Sequence, residues 1–102
     1  MPEMQTEEDF REQVGTKFVV KAEGLAPVEI ELYEVKGWLT RPEEEQGMER
    51  FTLFFRGPAD FMLPQNTYAL EHERMGELLI FFVPVGQDER GFKYQAVFNF
   101  HK

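Results

Sequence analysis

The sequence predicts a mainly β domain: a small, strongly bent antiparallel barrel of about five to six strands with a short N-terminal α-helix. Three observations support this prediction. The chain has 102 residues, which is the size of one domain. Apolar and polar residues alternate in short runs, and tight turns separate those runs. Because parallel crossovers need about a dozen residues or more, strands joined this closely are expected to pair antiparallel. We therefore expect residues 1–102 to form a single domain.

The helix is predicted near the N-terminus, over about residues 7–14. Thr6 precedes three acidic residues, which is typical of an N-cap followed by negative charge at the positive end of the helix dipole. Phe10 and Val14 lie one turn apart on one face, and Gly15 provides a left-handed stop. A helix this short is not stable alone. We therefore expect its Phe10 face to dock on the sheet and cover one open end.

The strands are predicted from runs of alternating or continuous apolar residues. They cover about residues 17–22, 28–35, 50–56, 67–72, 78–85 and 92–100. The second run loses its phase at Tyr33-Glu34-Val35, which indicates a β-bulge. The polar residues 41–47 form an exposed loop in this interpretation. Apolar residues on both faces of the later strands favour a strongly bent sheet.

Composition excludes several classes of function. The chain has no Cys and no Ser, which excludes disulfides, cysteine metal sites and the usual nucleophile triads. The absence of Cys favours a reducing, cytoplasmic location. The N-terminus has no signal-peptide pattern, and the longest apolar run, residues 78–85, is far below the roughly 20 residues that span a bilayer. We expect no membrane association.

The charge is concentrated in one half of the chain. The formal net charge is −8, with 13 acidic and 5 basic residues in 1–49 and 6 of each in 50–102. A chain this acidic repels phosphate backbones, so no DNA partner is expected and RNA is disfavoured. The basic residues of the second half are either scattered or gathered by the fold into a local patch. They are Arg50, Arg56, Arg74, Arg90 and Lys93.

No sequence motif indicates catalysis. Gly-rich phosphate loops are absent, and Glu43-Glu44-Glu45 lacks the spacing of a calcium loop. Glu71-His72-Glu73 places carboxylates beside an imidazole, but in a strand they point to the opposite face. A carboxylate-pair hydrolase using Asp60 is the enzymatic alternative. We expect no enzymatic activity, no cofactor and no metal.

Four segments resemble a family of small bacterial proteins known only as a domain of unknown function. They are Gly57-Pro58-Ala59-Asp60, Leu63-Pro64-Gln65-Asn66-Thr67-Tyr68-Ala69-Leu70-Glu71-His72, Gly76 and Val83-Pro84-Val85-Gly86. The resemblance extends over nearly the whole chain and is most specific in residues 51–99. It implies a bacterial, single-domain protein and supplies no catalytic residue.

The order of one helix and about five bent strands is also similar to Sm-like proteins and other small SH3-like barrels. That likeness would imply ring assembly through edge strands and RNA binding at the pore. The chain has no clear Sm-type Asp-Gly or Arg-Gly loop, and its charge is unfavourable for RNA.

The segment of residues 57–65 has two interpretations. In the architectural one, Gly and Pro set a rigid turn, Asp60 caps it, and Phe61, Met62 and Leu63 plug the end of the barrel. In the functional one, exposed Phe61 or Met62 binds a partner, and the polar rim around it is formed by Asp60, Gln65 and Tyr68.

Trp38, the only Trp, is either packed in the core or an interface anchor. The candidate partner-binding residues are Asp60, Phe61, Met62, Gln65, Tyr68 and Trp38. The hypothesis from the sequence is a non-enzymatic protein–protein interaction or assembly module that binds an unknown protein or associates with itself. The alternative is an Sm-like RNA-binding oligomeric ring.

Overall fold

The computed structural model describes residues 7–22, 24, 26–37 and 48–101, with the backbone alone for 48–50 and 99–101. It contains one short helix followed by six strands. The elements are α1 Glu7–Arg11, β1 Lys17–Lys21, β2 Val28–Gly37, β3 Met48–Arg56, β4 Asn66–His72, β5 Gly76–Asp88 and β6 Gly91–His101. The predicted mainly β class with a short helix is confirmed.

The six strands form one antiparallel sheet that closes on itself. Neighbouring strands follow the order β1-β2-β3-β6-β5-β4, and β4 pairs back onto β1. The closing pair is short and places Val19, Val20 and Lys21 opposite β4. In contrast, β3 and β6 pair along the whole of β3. The chain thus forms two consecutive three-stranded meanders joined along a long seam and a short one.

The connection between β3 and β4 crosses one end of the closed sheet, here called the crossing end. These two strands occupy opposite positions in the ring order, so residues 57–65 must span the opening. Leu63 is fully buried at this end, and its N–H donates to the Tyr94 hydroxyl oxygen over 2.8 Å. Phe61 and Met62 are exposed by 37% and 46%, so Leu63 is the plug and these two residues are not.

The helix covers the opposite end of the closed sheet, here called the helix end. This agrees with the prediction that its Phe10 face docks on the sheet. Phe10 is buried, and its ring centre lies 5.7 Å from that of Phe51 and 5.5 Å from that of Phe98. Burial of such a side chain contributes roughly 1.5–3 kcal/mol, which holds α1 in place. The helix is shorter than predicted because it ends at Arg11. The turn that follows leads the chain into β1 and leaves Val14 43% exposed.

Two irregularities interrupt the register of the strand pairs. One is a register shift between Leu32 and Glu34 in the β2–β3 pair, at the place where the loss of phase predicted a bulge. The other lies between Pro84 and Gly86 in the β5–β6 pair, where proline cannot donate to a ladder.

Large side chains from every strand fill the interior. The buried inward residues are Phe18, Val20, Ile30, Leu32, Phe51, Leu53, Phe55, Tyr68, Leu70, Ile80, Phe82, Tyr94 and Ala96. Their rings pack closely: the Phe18 and Phe55 centres lie 5.5 Å apart edge to face, and those of Phe82 and Tyr94 lie 5.1 Å apart.

Candidate functional site

A groove with a volume of about 840 Å³ lies outside the crossing end. The β1–β2 hairpin forms one wall, and the start of the β3–β4 connection forms the other. We call it the end groove. Its apolar lining is Ala26, Pro27, Val28, Pro58 and Phe61, and its charged lining is Lys17, Arg56, Arg90, Glu29, Glu31 and Asp60.

Two glycines determine the path of the chain where β3 ends and the β3–β4 connection, the second wall of the groove, begins. The N–H of Gly57 donates to the carbonyl oxygen of Phe92 over 2.8 Å. A Cβ added at Gly91, which has a φ of 154°, would overlap the carbonyl oxygen of Gly57. Only glycine allows the two backbones to approach this closely. Pro58 then has no N–H to extend the ladder, and the chain turns away into the connection.

Two hydrogen bonds tie the connection to buried tyrosine side chains. Besides the bond from Leu63 to Tyr94, the hydroxyl of Tyr68 donates to the carbonyl oxygen of Pro64 over 2.7 Å. Tyr68 itself is buried, and burial raises its pKa. The prediction that Tyr68 stands on the rim is therefore wrong: it anchors the connection through its hydroxyl while its ring packs in the core.

The other candidate residues divide between two surfaces. Asp60 and Phe61 line the end groove, whereas Met62 and Gln65 are exposed but lie outside its lining. Trp38 lies outside the described residues. The sequence-based patch therefore contributes two of its members to the groove.

An ion pair organises the cationic side of the groove. Nη2 of Arg56 donates to Oδ2 of Asp88 over 2.9 Å, and the guanidinium lies 4.3 Å from the centre of the Tyr33 ring. The other oxygen of Asp88 accepts the backbone N–H groups of Arg90 and Gly91 at 2.9 and 3.1 Å. The Arg56 hydrogen bond, assisted by these N–H groups, holds the pKa of Asp88 below its usual value.

The basic residues of the second half are only partly gathered. Arg56 and Arg90 line the end groove, and Lys93 lies opposite Arg56 in the β3–β6 register. Arg74 is in the β4–β5 turn at the helix end, and the side chain of Arg50 lies outside the described residues. Three carboxylates share the groove with the cations, so the surface has mixed charge and is not a continuous basic track.

The polar cluster at the helix end has a structural role. Nδ1 of His72 accepts the backbone N–H groups of Arg74 and Met75 at 3.0 and 3.1 Å. Thr16 donates its hydroxyl to the carbonyl oxygen of Gln13, and its oxygen lies 2.8 Å from Nε2 of His72. The proton of the neutral ring is therefore on Nε2, and burial lowers the pKa of His72.

Glu71 points away from this cluster, as predicted, and pairs with Lys21 at 2.8 Å. Among the described residues, no group of three acidic or histidine side chains lies close enough to hold a metal ion. No helix in the same part of the chain is long and apolar enough to cross a membrane.

The groove lining includes residues that the sequence reasoning missed, namely the hairpin residues Ala26, Pro27 and Val28. The predicted antiparallel order of the strands could have indicated them. When all strands alternate in direction, the turns that follow β1, β3 and β5 lie at the same end of the sheet. That rule places Ala26 and Pro27 at the same end as residues 57–65 and 89–90.

A protein-family model matches residues 5–98 of the chain, and the family is described as a domain of unknown function. This confirms the resemblance suspected from the four sequence segments. No curated protein and no solved structure matches the chain. Its function must therefore be argued from the site.

Proposed function

Because the chain belongs to the family described as a domain of unknown function (DUF6916), a description that assigns no activity, we propose its function from the end groove. In this proposal the protein is a non-enzymatic interaction module that binds an extended segment of a partner protein. The observation that carries the proposal is the exposed Phe61 ring on the wall of a groove formed by two proline-containing loops.

The lining suits a peptide better than a small polar metabolite. Pro27 and Pro58 have no N–H, so they present apolar surface where other residues would present donors. With Phe61 they form a site for an apolar anchor side chain, of the kind that provides most of the binding energy in peptide recognition. The volume of about 840 Å³ lies in the range of roughly 300–1,000 Å³ typical of ligand sites.

The charged rim adds specificity. Glu29, Glu31 and Asp60 share the rim with Lys17, Arg56 and Arg90. Such a rim complements a segment that carries both signs of charge around its apolar anchor, and it disfavours a segment with one sign only.

The walls are preorganised. The Leu63–Tyr94 and Tyr68–Pro64 hydrogen bonds fix the connection, and the Arg56–Asp88 pair fixes the cationic side. A rigid groove loses little conformational entropy on binding. This favours recognition of a flexible segment.

RNA binding is the alternative, and one observation favours it: three cations line the same groove. Asp88 neutralises Arg56, however, and three carboxylates interleave with the cations, so a protein segment is the better occupant. The SH3-like or Sm-like assignment stays a prediction. Saturable binding of labelled U-rich RNA that weakens steeply between 50 and 200 mM salt would replace the protein proposal.

Site-specific photocrosslinking tests the proposal. Benzoylphenylalanine is placed at position 61 or at position 62, the exposed neighbour outside the groove, in a lysate of the source organism. We expect one protein to crosslink from position 61 and not from position 62. With that protein purified, Phe61→Ala should weaken binding by about tenfold or more, while Met62→Ala changes it less than about twofold. Equal crosslinking from both positions, or binding unaffected by Phe61→Ala, would overturn it.

A further inference from the structure

The outer surface of β4 and β5 carries an apolar patch whose residues lie outside the end groove lining. Leu79 and Phe81 are 75% and 51% exposed. They lie opposite Ala69 and Thr67 in the β4–β5 register, so all four side chains share one face. We call these four residues the outer patch. An isolated exposed apolar residue is ordinary, but adjacent large ones on the outer face of a strand pair mark an interaction surface.

We propose that the outer patch binds a second copy of this chain in a two-fold symmetric dimer. The patch belongs to the half of the sequence that is electrically balanced, with 6 acidic and 6 basic residues in 50–102. The net charge of −8 comes from the other half. Two copies that meet through strands of this half therefore bring together less like charge than copies that meet through the acidic half.

One end of the patch is flanked by negative charge and the other by positive charge, so two copies that run in opposite directions are complementary. Glu77 precedes Phe81 by four residues on the same outward face, about 13 Å along the strand. Lys93 of β6 lies opposite Gly86 of β5. Because the bulge between Pro84 and Gly86 takes up one residue of β5, Lys93 lies about as far along the strand from Phe81 as Glu77 does, in the opposite direction. Consider a two-fold axis that lies in the interface near Phe81 and runs almost perpendicular to the strands. It brings Glu77 of each copy next to the partner's Lys93.

The parallel arrangement is disfavoured by the same charges. Glu71 lies directly opposite Glu77 in the β4–β5 register, so both carboxylates flank one end of the patch. If the copies ran in the same direction, these carboxylates would face their own counterparts, and Lys21 of each copy lies beside its own pair of carboxylates. Like charges placed opposite each other are repulsive across an interface. The antiparallel orientation follows.

The size of the patch sets the expected strength. A stable dimer buries roughly 800 Å² on each partner, whereas this face is one strand pair roughly 20 Å long with its flanking residues. We therefore expect a weak dimer that dissociates on dilution in the micromolar range, with Phe81 of each copy packed against the partner's at the axis.

Sedimentation velocity over a range of concentrations tests the dimer. We expect the mass to rise from monomer to dimer, and Phe81→Glu or Leu79→Lys to leave a monomer at every concentration. The matched control is Met62→Glu, a similarly exposed apolar residue elsewhere, which should dimerise like the natural chain. Both β5 positions are exposed, so the variants should fold, as circular dichroism will verify.

A charge exchange tests the geometry. Glu77→Lys and Lys93→Glu should each weaken the dimer by about tenfold, and the double variant should restore it. A monomer at all concentrations, a dimer indifferent to Phe81→Glu, or a double variant no better than the single ones would overturn the proposal. Crosslinking from position 61 should be unchanged by Phe81→Glu, so failure of this dimer is separable from failure of the groove proposal.

Discussion

The hydroxyl oxygen of Tyr94 accepts the backbone N–H of Leu63 at 2.8 Å inside the core. This bond ties the plug of the crossing end to the first half of β6, and both residues are fully buried. It satisfies a backbone donor that the connection would otherwise bury without a partner. The buried hydroxyl also has a raised pKa, chiefly because of desolvation, so it stays neutral.

Removing this acceptor should destabilise the fold. Tyr94→Phe keeps the ring and leaves the Leu63 N–H unpaired, which costs about 1–3 kcal/mol. Urea unfolding followed by fluorescence or circular dichroism measures the loss. Tyr33→Phe is the matched control, because it keeps the half-buried ring beside Arg56 and should change the free energy of unfolding by less than about 0.5 kcal/mol. Equal stability of the two variants would mean that the bond contributes nothing net.

Gly91 should not tolerate a side chain. Gly91→Ala introduces a Cβ that overlaps the carbonyl oxygen of Gly57, and the backbone must shift to relieve it. We expect a loss of about 3 kcal/mol or more, since a backbone clash adds to the positive-φ strain.

Gly76→Ala separates the two causes. Gly76 also has a positive φ, but a Cβ there meets nothing within 4 Å. This variant should lose only about 1–2 kcal/mol from backbone strain. If denaturant unfolding gave the same loss for both glycines, the contact between Gly91 and Gly57 would not be what requires glycine.

Stability should fall as pH decreases through the range of histidine titration. Burial lowers the pKa of His72 below its ordinary value of 6.5, so below that pH the unfolded chain binds more protons than the folded one. The contribution is complete above pH 6.5 and is lost as pH falls toward the folded-state pKa. Protonation also places a proton on Nδ1, where two backbone N–H groups already donate.

The free energy of unfolding at pH 7.5, 6.5 and 5.5 measures this effect. His72→Gln should be less stable at pH 7.5 and should have a shallower pH dependence, because the titrating ring is gone. A parallel pH dependence in both proteins would assign the titration to other groups.

The sequence predicted the local features of the fold better than their long-range arrangement. The alternation placed the strands, and the loss of phase located the bulge at Tyr33. Gly15 has the expected positive φ, but the helix already ends at Arg11, so Gly15 belongs to the turn that follows and does not stop the helix. Val14 departed from its predicted face because the hydrogen bond from the Gly15 N–H to Leu32 turns the chain toward β1. Such a tertiary contact is invisible in a local pattern.

The candidate site was predictable only in part. Proline and glycine marked residues 57–65 as special, but periodicity does not reveal which of Phe61, Met62 and Leu63 points inward, because the segment is not a strand. Nor does it distinguish the two faces of β5, where Ile80 and Phe82 are buried while Leu79 and Phe81 face outward. Both sets are apolar, so hydropathy alone gives no direction.

The unequal seams of the closed sheet determine where it opens. Within the described residues, β1 meets β4 over three residue pairs, whereas β3 and β6 pair from Met48–His101 to Arg56–Lys93. The segment with fewest interstrand bonds has the lowest free energy of local opening. Of these two seams, we therefore expect the one between β1 and β4 to open more readily, and its opening would expose Val20 and Leu70 to water. The meanders stay joined along β3 and β6, so reclosure needs no new search for topology.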